Sequence, residues 1–222
     1  MVLPVIHVAS VEQALRNAQI GHASGADGVF LINHAISWSK LLEIQDETVA
    51  RFPDWWVGVN CLDLHPEEAF ARLTSKVSGL WVDNARIREI PQVQLDAERI
   101  LVAQRQSAWA GLYFGGVAFK YQEHVNDLVG ACNIARQFMD VVTTSGPGTG
   151  HAASPEKIRV MKQALGTFPL AIASGITPQN VTDYLEVADC FLVATGISRS
   201  FEEFDPVRLE RLVSRIRAFR TE

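Results

Sequence analysis

Residues 140–166 read DVVTTSGPGTGHAASPEKIRVMKQALG. An apolar run, Asp140-Val141-Val142, leads into TTSGPGTG, a loop with three glycines and no charge. Ser154 then stands before Pro155, a capping residue followed by proline at the first turn, and the stretch behind them has a helical pattern. Gly166 supplies the left-handed residue that ends a helix. Strand, glycine loop and capped helix make one βα unit.

The same unit recurs in both directions along the chain. LPVIHV precedes SVEQALRNAQIGHASG, GVFLINH precedes SWSKLLEIQDETVARF, and WWVGVNCL precedes HPEEAFARLTSK. GLWVDN precedes a stretch holding LDAERILVAQRQ, and GLYFGGVAF precedes VNDLVGACNIARQF. PLAIASG precedes TPQNVTDYLEVA, and DCFLVATG precedes DPVRLERLVSRIRAFR. With DVVTTSG this gives eight strand-like runs, each expected to carry a helix after it. The runs are nearly continuous hydrophobics, as in strands covered on both faces. Thr177-Pro178 and Asp205-Pro206 repeat the cap-then-proline signal, and Gly25 repeats the helix stop. Unbroken alternation without a Pro/Gly-rich linker predicts a (β/α)8 barrel, with residues 1–222 as one domain. A doubly wound open sheet is the competing topology.

Bulk properties narrow the function classes. The 222 residues are 48% hydrophobic and 20% charged, with a net charge of −5. That is a globular balance with no basic surface for nucleic acid. No apolar run approaches the ~20 residues of a membrane helix, and the N-terminus lacks the basic region of a signal peptide. The three cysteines, Cys61, Cys132 and Cys190, are widely spaced, which fits a reducing, cytoplasmic setting and no zinc motif. The sequence leaves homo-oligomerisation open.

In such barrels the reactive groups lie at the C-terminal ends of the strands. Those ends carry His7, His34, Asn60, Asp83 with Asn84, Lys120, Thr144 with Ser145, Ser174, and Thr195. Strand ends meet polar loops in any barrel, which accounts for part of this set but less easily for the run of His, Asp and Lys. Trp55 and Trp56 start strand three, at the opposite end, and are expected to pack. Cys61 and Cys190 are expected in the core.

The last two units hold a near-duplicate: Ile172-Ala173-Ser174-Gly175-Ile176-Thr177 and Val193-Ala194-Thr195-Gly196-Ile197-Ser198. Glycine permits close backbone approach, and N–H groups, hydroxyls and a helix start can then converge on an anion. Barrels commonly hold phosphate between the loops after strands seven and eight. Ser174, Gly175, Thr195 and Gly196 are therefore assigned to phosphate, with Gly146, Gly148, Thr149 and Gly150 from the neighbouring loop. Tight strand-to-helix turns are the alternative use of these glycines.

SGPGTGHAASPEKI, PLAIASGITPQNV and DCFLVATGIS together resemble the last third of phosphate-binding barrels such as phosphoribosylanthranilate isomerase. The C-terminal pattern is more closely similar to the BtpA/SgcQ family of barrels. The resemblance covers roughly residues 140–200 and implies a phosphate site there. The isomerase's cysteine after strand one is missing, with His7 in that neighbourhood, and so is the HLxPLPG opening of BtpA-like chains. The resemblance therefore carries the phosphate site and not the reaction.

Asp83, behind an apolar strand whose burial would raise its pKa, is the first choice for acid/base chemistry. Lys120 is expected to stabilise an enolate, bind a second anion or form a Schiff base. His7 and His34 are candidate proton shuttles. Asn60, Asn84, Thr144 and Ser145 are assigned to the rest of the substrate, with Asn84 also placed to orient Asp83. No cofactor is expected, and Mg2+ carried by the substrate's phosphate is compatible; Asp63 and His65 alone are weak evidence for a metal. The expectation is an isomerase or aldolase/lyase acting on a phosphorylated sugar or phosphoribosyl compound. A phosphoribosyltransferase-like enzyme and a non-catalytic, phospho-ligand-binding regulatory or assembly factor of BtpA type remain alternatives.

Overall fold

The computed structural model describes residues 1–90 and 94–220; residues 221 and 222, inside the domain range read from the sequence, lie outside the described residues. Eight parallel strands close into a barrel in sequence order: β1 (Val2–Val8), β2 (Gly28–Asn33), β3 (Trp56–Asn60), β4 (Gly79–Val82), β5 (Leu112–Gly116), β6 (Val141–Ser145), β7 (Leu170–Ala173) and β8 (Cys190–Val193). Closure comes from β8 on β1, with Phe191 opposite Val2 and Val193 opposite Pro4. Around it run α1 (Val11–Ala23), α2 (Trp38–Arg51), α3 (Pro66–Phe70), α4 (Leu95–Ser107), α5 (Leu128–Ala135), α6 (Pro155–Leu165) and α7 (Pro206–Arg220). No helix among the described residues is long and apolar enough to cross a membrane.

The helix expected after β7 does not form. TPQNVTDYLEVA holds only a 3-10 turn, Val181–Tyr184. Thr177 Oγ1 accepts from the N–H groups of Gln179 and Asn180, Asn180 Oδ1 accepts from Thr177 N–H, and Asn180 Nδ2 donates to the Gly175 carbonyl. These local side-chain bonds hold the backbone in a turn that competes with an α-helix. The other start signals act as expected: Ser154 Oγ accepts from Lys157 N–H, and Asp205 Oδ1 accepts from Val207 and Arg208 N–H.

Strand residues alternate between two apolar layers. One side packs on the helices; the other fills the barrel with Leu3, Val5, Phe30, Ile32, Trp81, Phe114, Val141, Ala171, Ala173, Cys190 and Leu192. The Trp56 ring belongs to the inner layer at the start of β3, edge-on to Phe30 at 5.0 Å and Phe114 at 5.8 Å. A Cβ on Gly79 would fall 2.3 Å from the Trp56 ring, so glycine there makes room for the indole. Trp55 packs against His22 and Phe52 and donates to the Ala26 carbonyl, so both tryptophans pack as expected. Cys61, Cys132 and Cys190 are buried.

Candidate active site at the barrel mouth

Counting inward-facing positions by two carries the inner layer to the mouth. Val5 leads to His7, Ile32 to His34, and Trp81 to Asp83. These three side chains line one cavity of about 110 Å³ with Lys120, Thr149, Ser174, Thr195 and Phe201. Residues from the ends of β1, β2, β4, β7 and β8 and from the loops after β5 and β6 thus meet around one space.

Asp83 lies half-buried. Burial pushes its carboxyl above the usual carboxylate range, while a hydrogen bond from Asn60 and the charges of Lys120 and His34 pull it partly back. Asn60 is 2% exposed and donates from Nδ2 to Asp83 Oδ1 at 3.0 Å, so its amide holds the acid. The orienting role expected of Asn84 belongs to Asn60. Asn84 instead accepts from Arg86 N–H in an exposed turn and does not line the cavity.

His7 is held well below the imidazole range, at about 4, chiefly by burial and then by the charges of His34 and Lys120. Its Nδ1 is buried without a partner among the described residues. Its ring lies 3.9 Å from the Phe201 ring, edge-on, and 4.9 Å from His34. Burial also lowers the pKa of His34, with Asp83 opposing. Both imidazoles are therefore biased to the neutral form.

Lys120 Nζ donates to Thr149 Oγ1 at 3.1 Å, tying the β5 loop to TTSGPGTG. Gln122 braces that loop, donating from Nε2 to the carbonyls of Asp83 and Gly116. The backbone comes close to the barrel wall here, since a Cβ on Gly116 would lie 2.0 Å from the Asp83 carbonyl oxygen. Arg86, Ala118, Tyr121 and Ser174 all have positive φ, at 57°, 47°, 65° and 67°. All four lie in loops at this end of the barrel, and such strain in non-glycine residues clusters at functional sites.

Thr144 and Ser145 need correction as substrate contacts. Both are 0% exposed. Thr144 falls on the outward face of β6, one residue out of the inward phase, and donates to the Ala118 carbonyl. Ser145 Oγ accepts from Lys120 N–H and donates to the Gly146 carbonyl. Their hydroxyls position the β5 and β6 loops.

The three phosphate-assigned loops interlock through their glycines. A Cβ on Gly175 would lie 2.0 Å from Ala152 N, and one on Gly196 would lie 1.9 Å from the Ile176 carbonyl oxygen. Gly146 is as tightly placed against His151 and Ala152. Gly150, at φ 79°, sits beside Thr195, whereas Gly148 faces open space with His151 Nδ1 at 3.6 Å. The N–H groups of Gly150, Gly175 and Gly196 donate to no protein group among the described residues. Thr149, Ser174 and Thr195 place their side chains on the cavity beneath.

The clusters of acid and imidazole groups offer no metal site: no group of three or more His, Cys, Asp or Glu suited to a metal exists among the described residues. Asp63 instead accepts from Asn33 Nδ2 and Trp38 N–H, fastening the start of α2, and His65 caps α3. Phe201 had no signal in the sequence. It lies in a polar loop after β8 that Gln13 and Asn17 of α1 hold by donating to the Glu202 carbonyl.

Fold and mouth together define a (β/α)8 barrel with an ionisable cavity under three glycine-bearing loops. Residues 96–219 match the BtpA family, and the chain belongs to that family. An uncharacterized protein of Pyrococcus furiosus is 23% identical over 220 residues, covering 90% of this chain and 82% of that protein. Among solved structures, phosphoribosyl anthranilate isomerase from Thermus thermophilus superposes with a TM-score of 0.68 at 16% identity, covering 99% of this chain and all of that one. The (S)-3-O-geranylgeranylglyceryl phosphate synthase from Thermoplasma acidophilum, solved with its substrate sn-glycerol-1-phosphate, gives 0.71 at 14% identity, covering 98% and 93%. At these identities the likeness is one of fold.

Proposed function

We propose that this barrel is an enzyme acting on a phosphorylated sugar or phosphoribosyl compound, by isomerase or lyase-type proton transfer beside a carbonyl. The observation that carries the reading is the shared cavity: the Asp83 carboxyl and the Lys120 ammonium line one space with Thr149, Ser174 and Thr195. The phosphate is assigned to the N–H groups of Gly150, Gly175 and Gly196 and the three hydroxyls below them. Asp83, raised by burial, exchanges the proton. Lys120 stabilises the negative oxygen that develops when a carbon next to the carbonyl is deprotonated. Neutral His7 and His34 relay protons, one ring nitrogen taking a proton as the other gives one up. Two structural neighbours, an isomerase of a phosphoribosyl compound and a synthase holding a glycerol phosphate, support the phosphorylated class. Any Mg2+ would arrive with that phosphate.

Size adds a constraint. A cavity of about 110 Å³ is below the ~300–1,000 Å³ usual for ligand pockets. A phosphorylated substrate therefore enters as Phe201 swings off His7.

Thermal-shift screening against phosphorylated sugars and phosphoribosyl compounds tests the reading. A ligand at 100 times its Kd stabilises the fold by ~2.7 kcal/mol. Turnover of a hit that Asp83→Asn abolishes while binding persists supports acid/base chemistry. Binding without turnover in the unaltered protein supports the non-catalytic alternative, and no hit among phosphorylated compounds overturns the assignment.

A further inference from the structure

Behind the β5 loop lies a second, larger cavity of about 600 Å³, bounded by that loop, the Gly146-Pro147 turn and the starts of α5 and α6. Lys120 lines both cavities, but the side chain at the base of this one is Lys157. Its Nζ donates to the carbonyls of Ala118 at 2.5 Å and Ser145 at 2.7 Å. It forms no ion pair among the described residues, whereas Lys40, Lys76 and Lys162 are each paired with a carboxylate.

The two carbonyls take two of the nitrogen's hydrogens, and its remaining position, a third N–H in the ammonium and the lone pair in the amine, has no protein partner among the described residues. Loss of that third proton leaves the lone pair free. Position favours this loss. Lys157 sits in the first turn of α6, where the helix's positive end disfavours a cation. The cavity walls at Phe119, Val125, Leu128 and Pro147 are apolar.

We propose that Lys157 is a nucleophilic amine in a second ligand site, which takes a small aldehyde or ketone with an apolar body and holds it as an imine. The nitrogen lone pair attacks the carbonyl carbon. The C–N bond forms as the C=O π pair moves to oxygen, and a proton passes from nitrogen to that oxygen. Loss of the oxygen as water, with the second nitrogen proton, leaves a neutral C=N bond, so one carbonyl and one amine give one imine and one water. The neutral amine is populated near neutral pH, since burial lowers the Lys157 pKa to about 8, opposed by Cys132 of α5. The other titratable groups lining the cavity are Lys120, Tyr121, Glu123 and His124 of the β5 loop.

Benzaldehyde with borohydride, which delivers hydride to the imine carbon and fixes the adduct as a secondary amine, is the test. Peptide mapping of the unaltered protein at pH 7.5 should find Lys157 labelled at least about tenfold faster than Lys40 or Lys76, whose amines keep exposed carboxylate partners. The rate at Lys157 should rise with a midpoint near pH 8. Lys157→Arg, which keeps donors for both carbonyls, should lose this fast adduct and retain surface labelling. Labelling of Lys157 no faster than Lys40 overturns the proposal whether or not the arginine variant folds. Phosphate binding at the mouth is a separate readout, so either assignment can fail alone.

Discussion

Asn60, at the end of β3, donates from Nδ2 to Oδ1 of Asp83, just past the end of β4, across 3.0 Å. The bond favours the ionised carboxylate and opposes the burial that raises its pKa. Asn60→Leu should therefore push the Asp83 pKa further up. Infrared titration of the Asp83 carboxyl, or the acidic limb of the pH–rate profile of a turned-over ligand, would measure it. An unmoved or lowered pKa would count against the pairing.

Asp83 should also cost stability at neutral pH. Its folded pKa lies above its unfolded one, so the folded state holds the proton more tightly. The associated stability is fully present below the ordinary carboxylate pKa and is lost as pH rises through the raised value. Asp83→Asn should then stabilise the protein by about 0.5–2 kcal/mol at pH 7. The gain should vanish in acid below the ordinary range, as read by denaturant melts at several pH values.

His7 acts in the opposite direction. Its folded pKa of about 4 lies below the model-peptide value of 6.5. The stability it contributes is complete above pH 6.5 and is lost as pH falls through about 4. His7→Gln should flatten that part of the melting-temperature profile. Phe201→Ala should leave the fold nearly intact, since Phe201 is 59% exposed, while NMR shows the His7 pKa moving back toward its ordinary value as water reaches the ring.

The glycines of the rim separate into two groups. Gly175→Ala adds a Cβ 2.0 Å from Ala152 N at a φ of 70°, and should cost roughly 1–3 kcal/mol or prevent folding. Gly148→Ala meets nothing nearer than His151 Nδ1 at 3.6 Å and should stay within about 0.5 kcal/mol of the parent. Chemical denaturation of both variants checks the contrast.

Removing the Lys120 ammonium should weaken a phosphorylated ligand more than removing one hydroxyl does. A hydrogen bond to a charged group contributes about 1.5–3 kcal/mol, so Lys120→Met should lower affinity roughly 10–100-fold. Ser174→Ala should lower it by a smaller factor, with calorimetric titration as the readout.

The mouth was legible in the sequence because strand residues alternate. Once Val5, Ile32 and Trp81 are taken as inward-facing, His7, His34 and Asp83 follow two residues on. The same arithmetic explains the miss at Thr144, which is one residue out of phase and so faces the helices. Glycine spelling announced that something comes close at residues 146, 175 and 196, but not what. The answer is largely another loop's backbone. The missing helix after β7 turned on side-chain bonds between Thr177 and Asn180, and Phe201 on a contact made through α1; neither leaves a periodic trace.

The interlocked turns fix where the entrance has to be. The chain around Gly146 is pressed on Ala152, Ala152 on Gly175, and Ile176 on Gly196, main chain against main chain. No member of that series can swing aside without displacing the next. One half of the mouth is therefore an anvil, set before any ligand arrives and paying little ordering entropy when one does. Admission and release fall to side chains at its edges, the Phe201 ring and the Lys120–Thr149 clasp, single closures that a bond rotation can undo.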